Sequence, residues 1–231
     1  MNKKLIVFMH IPKTAGTTLR LLIEQNYKVW EIYRENKEAP EKIKILPYIK
    51  CIQGHQPFAY HDINDRPHTY ITMLRDPVQR VISEYYYIKA ARPHDPYIHD
   101  KIWKENLSLE DYVNSTDERF LLRTQNMQTR FSSGSLTLDQ IDLEKAKENL
   151  NKHFSVVGIT EMFDLSIFAM KKHFGWKDIS YENRVVNKER PRNIQYPQDL
   201  IDNINKINQL DKALYDWSKE RLIKEYGRSL K

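Results

Sequence analysis

"LIVFMHIPKTAGTTLRLLI", residues 5–23, is the stretch whose reading decides the fold. Leu5 to Met9 is a short unbroken apolar run, the pattern of a buried strand. It stops at His10, and a polar turn follows that holds Lys13, Gly16 and three threonines. From Thr17 to Asn26 the spacing predicts a helix, because Leu19, Leu22 and Ile23 recur three and four apart on one face. A strand that passes through a glycine turn into a helix presents backbone N–H groups and a positive dipole end to an anion. Gly16 permits close approach, Thr14, Thr17 and Thr18 offer hydroxyls, and Lys13 adds a mobile positive charge. The order departs from a nucleoside-triphosphate P-loop, where lysine follows the last glycine. Here Lys13 precedes Gly16 by three residues, which argues against an ordinary kinase or ATPase.

Working outward, two more loops follow predicted strands. Ile49–Gln53 reads as a strand ending in "GHQPF", with His55 just past a glycine. An imidazole titrates near neutrality and suits taking a proton from a hydroxyl. Thr69–Leu74 reads as a strand ending in "RDP", and Asp76 and Pro77 are a good N-cap and first residue for the next helix. Val78, Val81, Ile82, Tyr85 and Ile88 trace its apolar stripe, with Arg80 and Ser83 three apart on it. Arg75 and Ser83 are placed to reach a phosphate near the strand end.

Val29–Tyr33 is a weak strand and 34–44 a charged surface segment. Residues 94–152 read as a helical insertion, short helices first and then an amphipathic one over Leu138–Lys152. Phe154–Ile159 is a further strand, and a helix follows from about Met162 to His173. One or two helices fill about 197–227. Alternating strands and helices predict one α/β domain over 1–231, with a central parallel sheet flanked by helices. In such sheets ligands bind beyond the carboxyl ends of the strands, so the three loops are expected to converge there.

Bulk properties set limits. The chain has 231 residues, 40% hydrophobic and 29% charged, with no apolar run near the ~20 residues that span a bilayer. The N-terminal apolar run is too short for a signal peptide. A single cysteine, Cys51, rules out an internal disulfide and favours a reducing compartment, so a cytoplasmic protein is expected. The net charge of +6 suits an anionic ligand. No dense Lys/Arg tract with interleaved aromatics points to nucleic acid, and no H-E-x-x-H or C-x-x-C cluster points to a metal. Arg123, Asn126 and Arg130 are candidate substrate-binding residues, and Trp103 and Tyr85 to Tyr87 are candidate stacking surfaces, with core packing as the alternative for the aromatics.

At the three loops the sequence resembles the PAPS-dependent sulfotransferases, which use 3′-phosphoadenosine-5′-phosphosulfate as sulfate donor. "IPKTAGTT" resembles the 5′-phosphosulfate loop and "LRDPVQRVISEYYY" the 3′-phosphate motif. "GHQPF", "NMQTRFSSG" at 126–134 and "VVGITEMFDLSI" at 156–167 are similar to the carbohydrate branch, such as the heparan 2-O-sulfotransferases and bacterial relatives. The resemblance implies a P-loop-like fold, PAPS as co-substrate without a metal, and a glycan acceptor. It implies that Pro12, Lys13, Thr14, Ala15, Gly16, Thr17 and Thr18 wrap the 5′-phosphosulfate, with Lys13 at the sulfate and the bridging oxygen. It further implies Arg75 and Ser83 at the 3′-phosphate, His55 as base, and Lys188, Arg190 and Arg192 in a late basic loop over the nucleotide. A lipid, metabolite or peptide acceptor stays open, as does a silent nucleotide-binding module.

Overall fold

The computed structural model describes residues 4–35, 46–60, 63, 66–90, 96–181, 190–191 and 194–230. Most of the charged segment expected over 34–44, together with Lys188 and Arg192, lies outside them. In chain order the elements are β1 (Leu5–Met9), α1 (Gly16–Asn26), β2 (Ile32–Arg34), β3 (Cys51–Gly54), β4 (His68–Leu74) and α2 (Pro77–Ala90). Then come α3 (Pro96–Trp103), α4 (Leu109–Asn114), α5 (Glu118–Thr124), α6 (Met127–Ser133) and α7 (Leu143–His153). The chain continues through β5 (Phe154–Ile159), α8 (Phe163–Phe174), α9 (Gln198–Ile207) and α10 (Gln209–Tyr226).

The sheet has five strands in the order β2-β3-β1-β4-β5, and every pair is parallel. β1 therefore lies in the middle, with Met9 opposite Gly54 of β3 and Phe8 opposite Ile71 of β4. All five of its side chains are buried, as a strand covered on both faces requires. The expected strand over Val29–Tyr33 begins instead as a 3-10 turn, Val29–Glu31, and pairs only from Ile32. The helix expected from Leu138 starts at Leu143, because Asp142 caps it by accepting from the Lys145 N–H.

Two apolar clusters hold the fold. The larger joins the sheet to α1, α7, α8 and α10. The smaller lies among α2, α3, α4, α5 and α9, around Tyr112, Val81, Ile82 and Ile204. No helix among the described residues is long and apolar enough to cross a membrane.

A reciprocal polar clasp joins α6 to α10. The buried Asp211 carboxylate accepts from the Gln128 N–H (3.0 Å), the Thr129 N–H (2.7 Å) and the Thr129 hydroxyl (2.8 Å). In return the Asn126 side-chain oxygen accepts from the N–H groups of Leu210 (3.1 Å) and Asp211 (3.2 Å). Each helix start is thus capped from the other chain segment. Asp211→Ala strands three buried donors, and the expected loss of unfolding free energy is about 3 kcal/mol, read from the urea midpoint. Asp211→Asn, which keeps an acceptor oxygen, is expected to lose less.

Candidate active site

β1, β3 and β4 release their loops at the same edge of the sheet. The His10 N–H donates to the Gly54 carbonyl at 2.8 Å, one step past the end of β1. His10 and His55 therefore leave the sheet side by side. Their rings lie 4.2 Å apart between centroids. His55 Nδ1 is 2.8 Å from the His10 carbonyl oxygen. A carbonyl can only accept, so Nδ1 carries the proton and Nε2 presents its lone pair. Burial lowers the His55 pKa below its ordinary 6.5, opposed by the bond to His10. Burial lowers His10 further, with the charges of His55, Arg20 and Lys13 adding to it. A neutral imidazole with a free Nε2 is the form that accepts a proton.

The first loop is shaped by two non-glycine residues in the left-handed region, Lys13 (φ 67°) and Ala15 (φ 61°). Gly16 meets a different demand. A Cβ there would lie 1.9 Å from the His10 ring, so the close approach of that ring requires glycine. Thr14 is fully buried and its hydroxyl donates to the Ile11 carbonyl at 2.8 Å. That hydroxyl braces the turn, which corrects the expectation that it serves a ligand. Pro12, Thr17 and Thr18 are half-buried around the start of α1.

Arg75 joins the third loop to the first. Its Nη1 donates to the Lys13 carbonyl at 3.1 Å. The side-chain amide of Gln128 grips both its backbone groups, accepting from its N–H and donating to its carbonyl, each at 2.8 Å. Arg75 Nε is buried without a hydrogen-bond partner, 3.8 Å from Glu161. Burial lowers its pKa, yet a guanidinium stays charged. Glu161 also accepts from the Asp76 N–H (3.3 Å) and the Tyr215 hydroxyl (3.1 Å). Asp76 caps α2 by accepting from the Gln79 N–H at 3.0 Å. The Gln79 side-chain oxygen accepts from Arg190 Nη2 at 2.7 Å. Ser83, half-buried, stands one turn along the same face of α2.

Arg80 does not share that setting. Its side chain is wholly buried, and Nη2 donates to the Arg123 carbonyl at 2.6 Å. The residues expected at an acceptor cleft are likewise taken up by the fold. Asn126 belongs to the α6–α10 clasp, and Arg130 donates to the carbonyls of Leu122 (3.2 Å) and Leu136 (3.4 Å). Arg123 pairs with Glu84 at 2.8 Å. Arg80, Arg130 and Asn208 together satisfy the last carbonyls of α5, where the helix dipole is negative. Among the aromatics, Tyr85 is core, with its hydroxyl donating to the Leu107 carbonyl at 2.9 Å. Tyr87 is 43% exposed, and Lys13 Nζ stands 3.8 Å from its ring centroid. Trp103 is exposed and stacked on His99.

Two residues of this site escaped the sequence reading. Glu84 is buried, with one carboxylate oxygen on Arg123 and the other without a partner. Its signal was present: position 84 falls on the apolar stripe of α2, between Val81 and Ile88, where a carboxylate needs a reason. Gln128 carried no comparable signal, because its role depends on α6 packing beside the end of β4.

The sequence has counterparts among known proteins. The sequence model of one family, described as Sulfotransferase family, matches residues 2–218. The chain is 24% identical over 280 residues to heparan-sulfate 6-O-sulfotransferase 3-B of Danio rerio, covering 96% of this chain and 64% of that protein. It is 24% identical over 275 residues to heparan-sulfate 6-O-sulfotransferase 1 of Cricetulus griseus, covering 96% and 68%. It is 23% identical over 279 residues to heparan-sulfate 6-O-sulfotransferase 3 of Homo sapiens, covering 97% and 59%. The chain thus spans less than two-thirds of the first and third of these relatives. All three are 6-O enzymes, whereas the motif resemblance was drawn to the 2-O branch.

Gly16→Ala is expected to displace the His10 ring, lower stability by roughly 1–3 kcal/mol, and shift the imidazole resonances of His10 and His55 together. A heteronuclear NMR titration is expected to place the His55 midpoint below 6.5, with the proton on Nδ1 at neutral pH. As pH falls through 6.5 the unfolded chain binds that proton first, so stability declines on acidification from there down to the folded midpoint.

Proposed function

The chain belongs to the sulfotransferase family, and on that premise we propose that it moves the sulfuryl group of PAPS to a hydroxyl of a carbohydrate acceptor. The observation that carries this reading is the meeting of three loops on one main-chain segment. Arg75 and His55 both bond the carbonyls of the first turn, at Lys13 and His10. The buried, unpartnered Nε of Arg75 fits an anion held beside the first turn.

In this reading the start of α1, with the turn from Pro12 to Thr18, holds the 5′-phosphosulfate. Arg75 and Ser83 hold the 3′-phosphate, and Arg190, fixed on Gln79, adds charge beside them. PAPS supplies a sulfuryl group on a good leaving group, and transfer is an in-line displacement at sulfur. His55 Nε2 takes the proton of the attacking hydroxyl, and the His10 carbonyl keeps the imidazole in the tautomer that can do so. Lys13 and the helix dipole stabilise the negative charge that builds on the departing phosphate. The relatives' names supply the glycan: they are heparan-sulfate enzymes. Arg123 pairs with Glu84, and Asn126 and Arg130 spend part of their hydrogen-bonding capacity on the fold, so the acceptor side of the mechanism rests on His55 alone.

Titration calorimetry with adenosine 3′,5′-bisphosphate tests the donor half. Wild type is expected to bind it, and Arg75→Ala to bind about tenfold more weakly or worse. His55→Ala is expected to bind it within twofold of wild type while turnover on a glycan acceptor falls roughly a hundred- to ten-thousand-fold. Unchanged turnover in His55→Ala removes His55 from the mechanism.

A further inference from the structure

Helix α2 carries more of this site than its first turn. Glu84 and Tyr87 are three residues apart and so share a face. The Tyr87 ring holds the Lys13 ammonium at 3.8 Å, and Glu84 lies one turn closer to the helix start with a buried, unpartnered carboxylate oxygen. At its other end Lys13 is fixed by its carbonyl bond from Arg75 and by a backbone held in the left-handed region. A lysine on a four-carbon stem is ordinarily mobile. This one is held at both ends.

We propose that Tyr87 is a positioning residue for sulfuryl transfer, its ring face holding the Lys13 ammonium where charge builds on the departing phosphate. The inference rests on the role given to Lys13 above. The groups that face Lys13 are Tyr87 and Glu84 from α2, Arg75 from the end of β4 and His10 from the end of β1. Burial and Arg75 lower the Lys13 pKa, and Glu84 raises it. The ring adds to the stabilisation of the ammonium, because its quadrupole attracts a cation. Losing the ring therefore deprotonates Lys13 at lower pH and weakens its hold on developing charge.

The test compares Tyr87→Leu with Tyr87→Phe, with PAPS as donor and a heparan-type oligosaccharide as acceptor. Tyr87→Leu is expected to lower kcat about two- to fivefold and to raise donor KM by less than that, since more charge reaches the leaving phosphate in the transition state than in the bound donor. The alkaline limb of its pH–rate profile is expected to move down by about half a pH unit. Tyr87→Phe, which keeps the ring face, is expected to restore both. A second readout is independent of turnover. Reductively methylated wild-type protein is expected to show an upfield ring-current shift for the Lys13 methyl carbons, kept in Tyr87→Phe and lost in Tyr87→Leu. Wild-type kcat and pH profile in Tyr87→Leu, failure of phenylalanine to restore them, or an unshifted Lys13 resonance overturns the inference alone. A wild-type chain that neither binds adenosine 3′,5′-bisphosphate nor transfers sulfate overturns the functional reading, and this inference with it.

Discussion

β1 is hydrogen-bonded on both sides, to β3 and to β4, and all three strands run the same way. The three loops at their carboxyl ends have no choice but to emerge together. The sheet order also reverses around β1: from β1 the chain runs to the edge at β2 and returns to β3, then crosses β1 to build outward through β4 and β5 on the other side. A crevice opens at such a reversal, because neighbouring loops turn away in opposite directions. The candidate site stands at that reversal. Its two outer loops anchor on the main chain of the central one, through Arg75 on the Lys13 carbonyl and His55 on the His10 carbonyl. In each anchor a side-chain N–H donates to a main-chain carbonyl of the central turn. These anchors explain why the turn tolerates left-handed backbone at Lys13 and Ala15, where a smoother turn would aim its carbonyls elsewhere.

Charge is divided between two layers. On the sheet edge, Lys13, Arg75 and Arg190 surround the first turn or the start of α2. Glu161 and Gln79 take only part of their hydrogen-bonding capacity. In the helical layer, Arg80, Arg123 and Arg130 point into the protein and end on carbonyls or on Glu84. A buried guanidinium is tolerable only with acceptors arranged around it, and the carbonyl end of α5 supplies them. Glu84 links the layers, because it pairs with Arg123 on one side and faces Lys13 on the other. Basic residues of similar appearance in the chain thus divide into those that build the helical layer and those that stand around the first turn.

Legibility followed the range of the interactions. β1, the turn, α1, the Asp76 cap and the apolar stripe of α2 are local, and periodicity and capping chemistry located them within a residue or two. The short strand β2 was blurred, because three residues at the edge of a sheet carry almost no periodic signal and depend on β3 for pairing. Arg123, Asn126 and Arg130 were legible as polar residues in a helical region but not in their roles. Each has partners up to 85 positions away or at a helix end whose direction the sequence does not state. Tyr85, Tyr86 and Tyr87 are adjacent in sequence and chemically alike. Helical rotation of about 100° per residue buries the first and exposes the last.

By itself the sequence determined the alternation of strands and helices, the turn between β1 and α1, and the residue types able to grip phosphate and to take a proton. Those follow from near-neighbour constraints: periodicity, backbone freedom at glycine, and the chemistry of single side chains. Only the tertiary structure decided which cations reach the turn, which nitrogen of His55 is free, and that Lys13 is held by a ring on another helix. Those facts depend on which carbonyls and faces come together when segments far apart in the chain pack. Pairing across a sheet and helix-to-helix contact leave no trace in local spacing.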